Sequence, residues 1–301
     1  MNNNSQPRHA LKKPMVASSA LLALGLLTAC GGNGAAAPAA STSAQADAEV
    51  QALLPEELKK GGTIEIAVDS AYPPMDFMQG DKMVGIEPEM WTAAGELMGL
   101  QVKPTTVAFD AIVPALQSQR YQASFAGFWI TEERTKAVDM VSFFQSGSQY
   151  LVRTDDSKGP IDSFADLCGR SVALQSGSYE MTYAEDAGKE CEAAGKPAVE
   201  IQGYKTQDQA TLAVTSGRAD TTGMGAVVAG YVAQQSNGKL KTAGKVFHNV
   251  EGGIALPKGS KLSAAFQKAF TKLMGNGKYD EIFAKWGLES AKITESKAHT
   301  S

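Results

Sequence analysis

Histidine and cysteine are scarce: the 301-residue chain has three of each. His9 and His299 lie near the ends, so only His248 sits in the body of the sequence. A single histidine supports neither a histidine-rich metal centre nor a Ser/His/Asp triad. The cysteines form no C-x-x-C redox motif and no zinc knuckle. No metal and no cofactor is therefore expected. A basic surplus is missing too. The formal net charge is −4, whereas proteins that hold nucleic acid carry an excess of Lys and Arg, so no nucleic-acid partner is expected. The apolar run Met15–Ala29 falls short of the roughly 20 residues of a membrane-spanning helix. What is present is a globular composition. Hydrophobic residues make up 43% and charged residues 20%, enough to bury a sizeable core, and the length suggests about two domains.

The N-terminus has the order of a secretory signal. Arg8, Lys12 and Lys13 precede the apolar run, which ends in small residues, so 1–29 is expected to be a signal peptide. Without it, 25 bases face 32 acids, and the mature protein is acidic. The run closes Leu27-Thr28-Ala29-Cys30, which resembles a bacterial lipobox, so Cys30 is expected to carry lipid. The alternative is an ordinary signal peptide whose small residues happen to precede a cysteine. Gly31 to Ala46 has no charge and no apolar periodicity, and 30–60 is expected to be the lipidated cysteine and a flexible tether. The expected location is the outer face of a bacterial cell membrane, extracellular or periplasmic, with the chain a monomer. Export would place Cys168 and Cys191 in an oxidising compartment. Cys168 precedes the strand expected at Ser171–Leu174, and Cys191 lies in the last turns of the helix expected at Tyr179–Ala194. Because such a helix runs back along its strand, the two cysteines are expected to pair; two buried free thiols are the alternative.

From Gly61 onward, strand and helix patterns alternate, which implies α/β units with parallel sheets. Strands are expected at Thr63–Val68, Gln101–Thr106, Tyr121–Ala126 and Gln149–Arg153, with helices at Gly85–Met98, Ala108–Gln117 and from Glu132. A second series follows: strands at Ser171–Leu174, Val199–Gly203 and Ala219–Thr222, and helices at Tyr179–Ala194, Gln207–Ser216 and from Ala226. Leu262–Met274 and Tyr279–Trp286 show the apolar spacing of two closing amphipathic helices. The two series echo each other. Ala115–Arg120 and Ala213–Arg218 both turn from a helix into a short strand that is expected to end at glycine, Gly127 or Gly223. Two similar lobes imply a ligand cleft at the strand C-terminal ends, although two helix–strand turns can also look alike by chance.

Several segments, in order, resemble the family 3 solute-binding proteins of amino-acid ABC importers. They are Val68-Asp69-Ser70-Ala71-Tyr72-Pro73-Pro74-Met75-Asp76-Phe77, then Val84–Glu89, then Phe109–Ser118, then Gly127-Phe128-Trp129-Ile130-Thr131-Glu132-Glu133-Arg134. Gln175–Ser178, Ser216–Asp220, Gly253–Leu256 and Trp286–Leu288 complete the series over about 61–288. The resemblance implies a two-lobed, hinged α/β fold of the type II periplasmic-binding-protein kind, with the ligand between the lobes. The expected division is a first lobe over 61–149 and 247–290, an inserted second lobe over 150–246, and a polar tail over 291–301.

The resemblance also assigns roles. Arg134 is expected to hold a ligand carboxylate with its planar fork, in place of a surface pair with Glu132 or Glu133. Gly177, Ser178 and Tyr179 open a helix whose free amides favour the same anion. Asp69 matches a position that meets a cationic or polar ligand side chain; an Asx turn is its other reading. Tyr72 and Phe109 match aromatic positions that sandwich the ligand, and could otherwise be core. Two departures stand out. Gly127, Trp129 and Gly225 are expected at the ligand, but a hydroxyl residue usually stands where Trp129 is, and an aspartate that pairs with the α-ammonium usually stands where Gly225 is. Trp129 either joins Tyr72 and Phe109 as a wall for a cation or merely fills space. The ligand expected is an amino acid or related carboxylated solute, cationic or amine-modified, that is delivered to an ABC permease. The alternatives are an exported dehydratase-like enzyme, with Glu180 or Glu251 as acid or base, and a ligand-sensing receptor.

Overall fold

A computed structural model describes residues 46–300; the expected signal peptide, Cys30 and residues 30–45 of the expected 30–60 tether lie outside them. The first described element is α1 (Ala48–Gln51), which Asp47 caps by accepting the Glu49 and Val50 amides. Val50 and Leu54 are buried, and Lys272 and Lys268 reach Asp47 and Glu49. Part of the segment expected as tether, 30–60, is therefore packed against the body of the protein.

The chain then runs β1 (Thr63–Val68), a small antiparallel sheet of β2 (Ala71–Tyr72), β3 (Asp76–Gln79) and β4 (Lys82–Val84), α2 (Ile86–Met98), β5 (Gln101–Thr106), α3 (Phe109–Gln117), β6 (Ala123–Trp129) and α4 (Glu132–Ala137). Next comes β7 (Asp139–Arg153), followed by the second series: β8 (Ser171–Gln175), α5 (Tyr179–Ala193), β9 (Glu200–Tyr204), α6 (Gln207–Thr215), β10 (Thr221–Gly225) and α7 (Ala226–Gln235). The chain returns along β11 (Leu240–Leu256) and closes with α8 (Leu262–Gly275), α9 (Lys278–Lys285) and β12 (Ala298–His299).

The large sheet has the order β5-β1-β6-β11-β7-β10-β8-β9, with β12 also against β7. β1 pairs in parallel with β5 and β6, and β8 in parallel with β9 and β10, so each series forms a parallel half-sheet. The long strands β7 and β11 join the halves as an antiparallel pair. Residues 252–255 of β11 lie beside β6, while 148–152 of β7 lie beside β10. Their register shifts between Ala243 and Val250, at the passage from one half to the other. This is the two-lobed α/β architecture expected. The first lobe's core gathers Ile66, Met90, Phe125, Phe143, Phe266 and Phe270; the second's gathers Tyr150, Val152, Val172 and Leu174.

Three differences have physical causes. The strand at Gln149–Arg153 is the end of a 15-residue strand, because Asp139–Phe144 is buried on both faces and shows no alternation. β6 and β10 run past their glycines to Trp129 and Gly225. Gly127 has φ +60°, and a Cβ there would lie 2.8 Å from Tyr72 Cε1, so the glycine lets the strand pass close beneath that ring. The tail expected over 291–301 is pinned: Ala298 and His299 pair with Val141 and Met140, and Ser296 is buried. Cys168 and Cys191 form a disulfide with a Cα–Cα distance of 5.7 Å, tying the start of β8 to the last turns of α5.

Candidate functional site

Strand C-terminal ends converge between the two series, as ligand sites in α/β sheets do. β1 delivers Asp69, β6 ends at Trp129, β8 at Gln175 and β10 at Gly225. Between them lies a cavity whose free space, about 10 Å³, is close to the room one water needs. Seven of the ten ligand residues expected from the sequence line it: Tyr72, Phe109, Gly127, Trp129, Arg134, Ser178 and Tyr179. The other three stand one hydrogen bond behind. The Gly225 amide donates to Tyr72 Oη at 3.0 Å, the Gly177 carbonyl accepts from Arg134 Nη2 at 3.1 Å, and Asp69 Oδ2 accepts from Gln175 Nε2 at 2.6 Å. These three bonds also join the first series to the second. Gln175, Glu180 and Gln207 line the cavity as well, and reading the sequence did not single them out as ligand residues.

Arg134 projects from α4, whose N-cap Thr131 accepts the Arg134 amide at 3.2 Å. Its guanidinium donates to the Trp129 and Gly177 carbonyls and lies over the rings of Phe109 and Phe128, at 5.6 and 5.2 Å. Two of five N–H donors are used there. Neither neighbour takes the others: Glu132 pairs with Lys136 at 2.8 Å, and among the described residues no carboxylate comes within 4.0 Å of Arg134. Desolvation pulls this guanidinium down to about 10, so it stays charged at neutral pH.

Asp69 is 4% exposed. Its Oδ1 accepts the Ala71 amide at 3.1 Å, which is the Asx turn, while Oδ2 is engaged by Gln175. Burial raises its pKa, with the Gln175 and Ala71 hydrogen bonds opposing. The helix-opening amides are fewer than expected. The Ser178 amide is committed to the Gln175 carbonyl at 3.1 Å, and the Ser178 side chain accepts the Met181 amide, leaving the Tyr179 and Glu180 amides in the first turn of α5.

Glu180 is 3% exposed, and burial raises its pKa. Its Oε1 accepts from Ser148 Oγ at 3.1 Å and from Trp129 Nε1 at 3.4 Å. The Trp129 ring lies between Tyr179 and Phe144, with centroids 6.3 and 5.8 Å away. Glu251 lies elsewhere, paired with Lys297 and His299.

The sequence matches the bacterial extracellular solute-binding proteins, family 3, over residues 64–289. The chain belongs to this family. It is 32% identical over 250 residues to the arginine-binding protein ArgT of Corynebacterium glutamicum, covering 82% of each chain. It is 32% identical over 239 residues to an L-arginine-binding protein of Pseudomonas aeruginosa, covering 74% of this chain and 87% of that one. An ancestral arginine-binding protein, solved with arginine and also with glutamine, superimposes with TM-scores of 0.67 and 0.68 at 33% and 32% identity. The arginine-bound structure covers 75% of this chain and 98% of its own. The chain is thus an extracellular solute-binding protein of the amino-acid type, one that captures substrate for an importer. Among the described residues no helix is long and apolar enough to cross a membrane.

Proposed function

We propose that the solute is a cationic α-amino acid, arginine or a close analogue, held between the lobes and handed to an ABC permease without reaction. The carrying observation is the charge balance. One guanidinium, Arg134, faces a cavity bordered by two buried carboxylates, Glu180 in its wall and Asp69 one hydrogen bond behind it. A ligand with one carboxylate and two cations matches that set. A neutral amino acid, with one of each, leaves a buried carboxylate unpaired, which costs several kcal/mol in principle. The relatives named for arginine support the same reading.

The small cavity implies that the lobes part for entry. The first lobe is 61–149 with 247–290 and the second 150–246, and the two crossing strands serve as the hinge, where the register shifts in β11. Cys30 anchors the chain by lipid to the outer membrane face, and the protein acts as a monomer. A thermal-shift series tests the ligand class, because a ligand that binds only the folded state raises Tm. Arginine, lysine and ornithine are expected to raise it, and alanine and leucine to leave it unchanged. A shift with neutral amino acids alone would overturn the proposal.

A further inference from the structure

The cavity wall holds one cation and one carboxylate among the described residues, Arg134 and Glu180. Trp129 touches both. Its carbonyl accepts from Arg134 Nη1 at 3.0 Å, and its indole Nε1 donates to Glu180 Oε1 at 3.4 Å. The head group of an α-amino acid needs this juxtaposition, since its ammonium and its carboxylate sit on the same carbon and their partners must stand side by side. The Ser148 hydroxyl donates to the same Glu180 oxygen, at 3.1 Å; neither donor reaches Oε2.

Gly225, one hydrogen bond behind the cavity, carries no carboxylate. A Cβ at Gly225 would lie 3.0 Å from Trp129 Cζ2 and 3.3 Å from Tyr72 Oη. The indole therefore takes the room that a side chain at 225 would need, and glycine at 225 is what lets Trp129 stand where its N–H meets Glu180.

We infer that Glu180 receives the α-ammonium of the ligand, with Trp129 as the residue that positions it. Arg134 takes the adjacent carboxylate, and Asp69 is left for a distal cation. Burial raises the Glu180 pKa while its own backbone amide, Ser148, Trp129 and Arg134 oppose that rise, and an ammonium beside it would favour the charged carboxylate further. The inference rests on the reading that the solute is an α-amino acid, and it adds the residue that selects for a free α-amine.

Calorimetry on the full-length chain tests it with two ligands that differ only at the α-amine, L-arginine and 5-guanidinopentanoate. Glu180→Gln is expected to weaken arginine about 10- to 100-fold and to leave 5-guanidinopentanoate within about threefold. Trp129→Phe, which keeps a ring but loses the N–H donor, is expected to weaken arginine by less. Adding Gly225→Asp with Trp129→Thr to Glu180→Gln moves the carboxylate to position 225, into the room the indole leaves, and is expected to restore arginine; this arm decides the matter if Glu180→Gln alone folds poorly. Arginine binding by Glu180→Gln within about threefold of wild type, or equal losses for both ligands, would overturn the role of Glu180 and leave the cationic reading standing. A wild type that binds a neutral α-amino acid but not arginine, with Glu180→Gln still losing it, would keep Glu180 and sink the cationic reading. A wild type that binds no α-amino acid would sink both.

Discussion

Replacing Glu87 by glutamine should flatten the loss of stability that the protein suffers as pH rises. Glu87 and Asp76 are both fully buried, and Asp69, 4% exposed, is close enough to raise both of their pKa values. Glu87 Oε1 accepts the Gly127 amide at 2.9 Å. Its Oε2 and both carboxylate oxygens of Asp76 have no hydrogen-bond partner, and among the described residues no Lys, Arg or His comes within 4.0 Å of either group. Burial pushes Glu87 up to about 8 from its ordinary 4.5, and pushes Asp76 up as well, with Glu87 adding to the rise. The sign follows from proton counting. Between these values the folded state keeps a proton that the unfolded state releases, so stability is full below about pH 4.5 and falls as pH climbs toward about 8, by about 1.4 kcal/mol per pH unit for one proton. From about pH 5 to about pH 8 one proton is worth at most about 4 kcal/mol, or a Tm drop on the order of 10 °C in a domain of this size. Glutamine cannot ionise, yet its amide oxygen can still accept from Gly127. Scanning calorimetry at several pH values should therefore show a wild-type Tm that falls over this window and a Glu87→Gln Tm that falls less, by the share of that one proton, since Asp76 still titrates. Parallel curves would refute the reasoning.

Other consequences are simpler to read. Cys168→Ser with Cys191→Ser opens a loop with a sequence separation of 23 and should cost about 3 kcal/mol in urea unfolding, chiefly by freeing the unfolded chain; an unchanged midpoint would contradict this. Cys30→Ala should move the protein from the membrane fraction into the soluble one, or leave its precursor uncleaved, and an unaltered membrane fraction would remove the case for a lipid anchor. Asp69→Asn should weaken arginine by about tenfold or more and spare a neutral analogue such as citrulline, because Asp69 is assigned to the distal cation; equal effects on both would withdraw that assignment.

Legibility in the sequence followed burial pattern and motif. β1 and β5 were readable to the residue: β1 is a short run of mostly strand-forming residues after Gly61-Gly62, and β5 follows the Gly99 that ends α2. The first two-thirds of β7 was not, because Asp139–Phe144 is buried on both faces and loses the alternation that marks a strand. β11 was hidden by Gly244, Gly252 and Gly253, which read locally as turns. A Cβ at Gly252 would lie 2.1 Å from Phe144 Cζ, so that glycine serves close strand packing. In the site, Arg134, Tyr72 and Phe109 came from motif blocks. Glu180 and Gln207 did not, and Gln175, although it opens a block, was given no ligand role, because the convergence of the three depends on how the second series folds over the first. A partial signal existed: Gln175 ends a strand and Glu180 sits in the first turn after it, the places where α/β sheets gather ligand groups.

The central claim, that Arg134 anchors the carboxylate of a cationic amino acid between the lobes, is tested most directly by titrating L-arginine into wild type and Arg134→Ala by calorimetry. The guanidinium keeps three N–H donors free of the Trp129 and Gly177 carbonyls, and its loss leaves the ligand's anion unpaired in a closed cleft. The account predicts tight binding by wild type and a loss of about 2–4 kcal/mol in Arg134→Ala, roughly 30- to 1,000-fold in Kd, with folding preserved. Arginine binding of equal strength in both proteins would contradict it.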